Sequence, residues 1–309
     1  MSTHTYRSVD APVDGGRLRV GIWDPLGADP EAHPTGADAT EVPTVLAVHG
    51  ITATHQSWIQ LPPLLPGVRI VAPDLRGRGR SNALPGPYGM ARHADDLAAV
   101  LRALGISSVT ALGHSMGAFV SLVLAHRHAR TVSHLVLVDG GLPLEIPQGA
   151  DPDELMQAVL GPAATRLAMS FPDRDAYRSF WADHPAFDAR LVAELGPYFD
   201  YDLEPDGEGW RSSASLEAVT ADQRELITGG TVPAALRGLT VRTTFIHAPR
   251  GLLDDAPLYR PEYAAAWARR LPSLTMGWAT GVNHYTVVMS SPGAQFVAGQ
   301  LAPAPEGVQ

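Results

Sequence analysis

The residues 113-GHSMG-117 set a serine between two glycines, with the apolar run 109-VTALG-113 before it and the helical pattern 118-AFVSLVLAHRH-128 after it. A serine hydroxyl becomes a nucleophile when a base takes its proton, and a sharp strand-to-helix turn lifts such a hydroxyl clear of a sheet. Alone, G-x-S-x-G is often no more than a glycine-rich turn; its strand–turn–helix setting is what makes Ser115 the candidate nucleophile. The base must come from elsewhere. His284, in 280-TGVNHYTVVM-289, follows the last strand-like segment, where it could swing over the sheet edge to Ser115 and later protonate a leaving group. Most other histidines read plainly as surface or core residues, and His114, inside the turn, as one that packs. A tetrahedral oxyanion needs two fixed donors. The loop 49-HGITATHQSW-58, directly after the apolar run 43-PTVLAVHG-50, and the residue after the serine are the places to find them, which nominates the amides of Ile51 and Met116.

Such groups need a sheet to carry them. Arg17 to Trp23 alternates like a strand, 24–43 is a Pro, Gly and Asp-rich loop, and 43–50, 69–75, 108–115 and 132–139 read as strands, with amphipathic or apolar helices at 90–104 and 116–128. Strands alternating with helices imply crossover units and a parallel sheet covered on both faces. After Gly141 the rhythm breaks for about ninety residues of mostly helical, proline-interrupted sequence, and it resumes with a strand at 240–247, a helix at 261–271, a strand at 274–278 and a helix near 294–301. This divides the chain into a core of 1–141 and 233–309 and an inserted helical segment of 142–232.

Composition removes other chemistries. Among 309 residues there is no cysteine, so thiol nucleophiles, thiolate metal sites and disulfides are excluded. All 23 basic residues are arginine, so no lysine is present to form a Schiff base or to serve a phosphate-binding loop. A net charge of −9 without a basic run argues against nucleic acid as a partner. With no secretory leader pattern and no apolar run of membrane-spanning length, the expectation is a cytoplasmic protein that works without a membrane, metal or cofactor. Assembly of several copies is left open.

HG after one strand, DLRGRGRS (Asp74 to Ser81) after the next, GHSMG after a third and NHY near the carboxyl end together resemble the α/β-hydrolase superfamily, over nearly the whole chain except the insertion. The resemblance implies an eight-stranded, mostly parallel sheet, a helical cap after the sixth strand and a Ser–His–acid mechanism. A serine in the elbow separates the chain from relatives that use an aspartate nucleophile.

The acid is the difficult member. In most relatives it follows the seventh strand in a pattern resembling G-x-x-D, and in 247-HAPRGLLDD-255 that alignment puts Ala248 at the glycine and Gly251 at the acid. Asp254 and Asp255 come soon after, within reach of a loop slip. Asp139, ending 132-VSHLVLVD-139, matches the placement in pancreatic-type lipases and certain lactone hydrolases, although an aspartate there can also simply brace a loop. Asp139 is the preferred acid, Asp254 or Asp255 the alternative, and a chain with no acid the third option. The insertion holds many of the chain's aromatics, Trp181 among them, so a small apolar ester or lactone is the expected substrate. A thioesterase, a carbon–carbon bond hydrolase or a non-catalytic ligand receptor would use the same scaffold.

Overall fold

The computed structural model describes residues 3–28, 42–145 and 165–301. Much of the loop expected at 24–43 and the beginning of the insertion lie outside the described residues. Eight strands form one sheet in the order β1-β2-β4-β3-β5-β6-β9-β10. Strands β3 (Thr44–Val48), β4 (Arg69–Pro73), β5 (Val109–His114), β6 (Val132–Val138), β9 (Thr243–His247) and β10 (Leu274–Trp278) are parallel, and β2 (Gly16–Pro25) joins antiparallel to β4. The inner strands are apolar along their length because helices cover both faces, leaving neither side to water.

The first strand, β1 (His4–Val13), was not legible in the sequence. It pairs only with β2, and its residues HTYRSVDAPV are mostly exposed, so it carries little of the apolar signal by which buried strands are read. The hairpin turns at Asp14 and Gly15, with Gly15 at φ 84°.

Two apolar clusters lie against the sheet. One gathers the buried stripe of α1 (Met90–Ala103), namely Met90, Ala94, Leu97 and Leu101 at helical spacing, together with α2 (Met116–Arg127), which is buried along almost its whole length. The other runs from Trp58, Val136 and Ile246 into the aromatic residues of the inserted segment.

That segment contains α3 (Arg174–Ala182), α4 (Ala189–Glu194), α5 (Gly196–Asp202), a hairpin of β7 (Leu203–Asp206) and β8 (Gly209–Ser212), then α6 (Leu216–Thr228) and α7 (Thr231–Arg237). Side chains of Asp173, Asp188 and Ser215 cap the starts of α3, α4 and α6. The small hairpin departs from the expected helical reading; Gly207 and Glu208, with Gly207 at φ 60°, make its turn. Phe171 to Leu203 joins the second apolar cluster, whereas Val219, Val232, Ala235 and Leu236 of α6 and α7 join the first, packing with α1 and α2. Helices α8 (Pro261–Arg270), α9 (Thr286–Met289) and α10 (Ser291–Leu301) complete the chain.

Candidate active site

Strand β5 ends at His114 and α2 begins at Met116, so Ser115 alone makes the turn, at φ 54° and ψ −123°. For a residue with a Cβ this conformation costs on the order of 1–3 kcal/mol and persists only where its surroundings over-determine it. Here the Ser115 amide donates to Val138 O at 2.9 Å, and the Ala118 amide donates to Ser115 O at 3.0 Å. The flanking glycines serve space rather than a special φ. A Cβ on Gly113 would stand 2.2 Å from Gly117 O, and one on Gly117 would stand 2.1 Å from Val48 O. They let the helix close against the strands while the serine itself carries the strained turn.

His284 lies in the loop between β10 and α9, almost wholly buried. Its Nδ1 is 2.7 Å from Asp139 Oδ2. Asp139 is fully buried at the end of β6, at φ 45°, and its Oδ1 accepts from the Ala248 amide at 3.3 Å. A neutral imidazole that donates from Nδ1 to a carboxylate keeps Nε2 unprotonated, the state a general base requires.

The loop 247–255 takes a different part. Asp254, at φ 62°, accepts from Asn283 Nδ2 at 2.8 Å and pairs with Arg250 at 3.2 Å; Asp255 is exposed. Neither meets the His284 ring, and the structure places Asp139 there instead.

Two further residues hold His284: Asn283, to which the sequence reading gave no role, and His114, which it read as packing inside the turn. Asn283 spends its whole amide on the loop: Nδ2 donates to Ala186 O at 2.9 Å and to Asp254, while Oδ1 accepts from the Thr286 amide at 2.9 Å and the Tyr285 amide at 3.1 Å. Its own N–H donates to Thr286 Oγ1 at 2.7 Å, a reciprocal cap on the short α9. An asparagine three residues before a threonine at a helix start was the available signal. The second residue is His114, whose Nε2 donates to the carbonyl of His284 at 2.7 Å. Burial, and then the neighbouring His284, hold His114 well below the ordinary histidine range, so it stays a neutral brace.

Gly50 approaches Ser115 so closely that a Cβ there would be 3.3 Å from the serine Cβ. Ile51 and Met116 are both buried beside it. His49 ties this loop to the end of β4, accepting from the Leu75 amide at Nε2 (2.9 Å) and donating from Nδ1 to Gly50 O (2.8 Å). Complete burial pushes its pKa down to about 4.

Ser115 and His284 border one cavity of about 30 Å³, walled by Ile51, Trp181, Tyr198 and Tyr285 among others. That volume holds about one or two waters. Trp181 is packed by Phe187, Phe199 and Tyr285 and is 2% exposed. A larger cleft of about 540 Å³ lies between Ala186–Leu191 and the Asn283 loop, but neither Ser115 nor His284 lines it. Among the described residues no group of three His, Asp or Glu could hold a metal, and no helix is long and apolar enough to cross a membrane.

Residues 43–275 match the family described as the alpha/beta hydrolase fold. The lipase LipV of Mycobacterium tuberculosis is 32% identical over 209 residues, which is 67% of this chain and 74% of that protein. The bifunctional esterase/perhydrolase DCH of Acinetobacter calcoaceticus is 30% identical over 164 residues, or 52% of this chain, and the match spans about half (54%) of its own length. Among solved structures, a thioesterase domain from the curacin biosynthetic pathway aligns with a TM-score of 0.72 at 21% identity, over 96% of this chain and 99% of its own. E-2-(acetamidomethylene)succinate hydrolase aligns at 0.73 and 21%, over 96% and 98%. At these identities the two structures share the fold.

Proposed function

This chain belongs to the α/β-hydrolase-fold family, and on that premise we propose that it is a serine hydrolase of carboxylic esters or lactones with an apolar acyl or alcohol part. The observation that carries the reading is the 2.7 Å bond between Asp139 and His284, beside the cavity that His284 shares with the strained Ser115. Ser115 Oγ attacks the substrate carbonyl as His284 Nε2 takes its proton, and the amides of Ile51 and Met116 stabilise the oxyanion. Collapse of the tetrahedral intermediate expels the alcohol, protonated by His284, and leaves an acyl-serine. Water, deprotonated by the same nitrogen, releases the acid. Asp139 keeps the imidazole in the required tautomer and stabilises its cationic form. Residues 142–232 act as the cap, and the aromatic wall at Trp181 is the part of it that meets substrate.

The test is a screen of 4-nitrophenyl esters, aryl lactones and acyl thioesters, with Ser115→Ala as control and with labelling by a fluorophosphonate. Ester or lactone turnover lost in Ser115→Ala, with label on Ser115 that is lost in His284→Ala, is the expected result. Label on another serine would remove the assignment. Turnover of thioesters alone would move the reading to a thioesterase, and no turnover of any substrate would leave a ligand receptor.

A further inference from the structure

The motif 74-DLRGRGRS-81 carries three arginines, and the middle one has no place in the chemistry above. Arg78 is fully buried. Its Nε donates to Ile51 O at 2.9 Å, its Nη1 to Arg76 O at 2.9 Å, and its Nη2 reaches Met116 Sδ at 3.8 Å. Nη1 also pairs with Asp222 Oδ2 of α6 at 2.5 Å. Ile51 and Met116 come from different turns, after β3 and after β5, and one guanidinium touches both. We infer that Arg78 is a positioning residue that holds the two halves of the oxyanion hole in register and ties them, through Asp222, to helix α6 of the inserted segment. The inference rests on the oxyanion assignment of the proposed function.

The physical case starts from the shape of the group. A guanidinium offers five N–H donors in one rigid plane, so fixing it against one acceptor fixes its direction toward the others. The Ile51 N–H and C=O are separated by two soft dihedrals, and anchoring the carbonyl restricts the direction in which the N–H points. The thioether is a weak acceptor, so the Met116 contact contributes placement more than energy. Keeping a buried cation there requires a counter-charge, which Asp222 supplies. Asp222 is itself tightly held: the Gly89 amide donates to it at 2.6 Å and His93 Nε2 lies 2.9 Å away. Burial alone would raise this carboxyl, but His93 and Arg78 outweigh it and hold its pKa down to about 2.

Arg76 provides an internal control. It is as buried as Arg78, lies in the same motif and pairs with a buried carboxylate, Asp96, at 2.9 Å, yet its remaining bonds go to Pro85 O and Asp14 O, away from the site. If Arg78 were merely a structural cation, replacing either arginine should have the same consequences.

The experiment compares Arg78→Lys, Arg76→Lys and Asp222→Asn, with turnover expressed per serine labelled by fluorophosphonate so that unfolded protein is not counted. Arg78→Lys should lower kcat on a 4-nitrophenyl ester by ~10- to 100-fold with KM within about 3-fold, and should weaken a trifluoromethyl ketone, which mimics the tetrahedral adduct, in proportion to kcat. Asp222→Asn, which loosens Arg78 from its far side, should give the same split at ~3- to 10-fold, and it decides the matter if Arg78→Lys does not fold. Arg76→Lys should change thermal stability but not kcat per labelled site. A crystal structure of Arg78→Lys gives a readout that needs no substrate, with the Ile51 and Met116 amides expected to move relative to each other. Unmoved amides, or equal kcat losses in the Arg76 and Arg78 variants, would overturn the inference. Absence of ester turnover and of Ser115 labelling in the unmodified protein would instead sink the esterase reading, and the crystal structure would still decide the role of Arg78.

Discussion

Of the buried aspartate–histidine pairs among the described residues, Asp139–His284 at 2.7 Å and Asp74–His55 at 2.8 Å make the sharpest contrast. They differ in what surrounds the pair. Asp74 accepts from the His55 amide at 2.9 Å as well as from its ring, from the Arg80 amide at 2.9 Å and from Tyr201 Oη at 2.6 Å, and the far ring nitrogen of His55 meets Tyr6 Oη at 2.8 Å and Gln56 at 3.0 Å. Burial would raise the Asp74 carboxyl, but His55, through its ring and its amide, and then His49 outweigh it and hold it below the ordinary carboxylate range. Both faces of that pair are occupied, and it joins β1, the loop after β3, the turn after β4 and helix α5. Asp139, by contrast, accepts one further bond among the described residues, at 3.3 Å, and its histidine borders a cavity that the strained Ser115 also lines. An acid next to a histidine is therefore no signature of catalysis. What the second ring nitrogen faces decides whether the pair fastens the fold or moves a proton.

The contrast breaks most sharply in kinetics. Asp139→Asn should lower turnover by ~10³- to 10⁴-fold with the fold intact, the loss that follows when a triad acid becomes an amide, while Asp254→Asn and Asp255→Asn stay near the parent rate in steady-state assays. A fully active Asp139→Asn would reverse the roles given to these aspartates. The Asp74 pair should fail in the other direction. Asp74→Asn removes the charge and turns an NH2 donor toward groups that themselves donate, so urea unfolding should show a loss of about 3 kcal/mol or more, with turnover per labelled Ser115 changed only a few-fold. Unchanged stability would mean the network fastens nothing.

A third measurement uses pH. His49 is neutral in the fold because its pKa is about 4, against about 6.5 for an exposed histidine. A depressed folded value means that this contribution is complete above pH 6.5 and declines as pH falls from 6.5 toward 4, by up to roughly 3 kcal/mol; His114 acts with the same sign. Urea unfolding at pH 7.5, 5.5 and 4.5 should show that decline, and a flat series would contradict it. The smallest effect belongs to the outer end of the closed pair. Tyr6→Phe removes the bond to His55 Nε2 and the one its hydroxyl accepts from Gln56 Nε2 at 3.2 Å, and should cost about 1 kcal/mol without altering turnover.

These two pairs also show how far a sequence can be read. Ser115 and His284 were legible because each follows a buried apolar strand, and the elbow's neighbours announce a turn into a helix. The inner strands were legible for the same reason: a continuous apolar run has few other ways to be buried. The exposed β1 and the hairpin at 203–212 escaped, since neither presents that pattern. The acid resisted because Asp139 and the aspartates of 247–255 are equally plain in one dimension, each a short step past a strand end. Chain order alone nominated the strands after which the proposed nucleophile, base and oxyanion loop stand. Only tertiary structure decided which carboxylate meets His284, that Asn283 and His114 hold it, and that Arg78 reaches both Ile51 and Met116. Those outcomes depend on strand order and on the direction of single side chains across the sheet, and contacts between residues so distant in the chain leave no periodicity for a sequence to show.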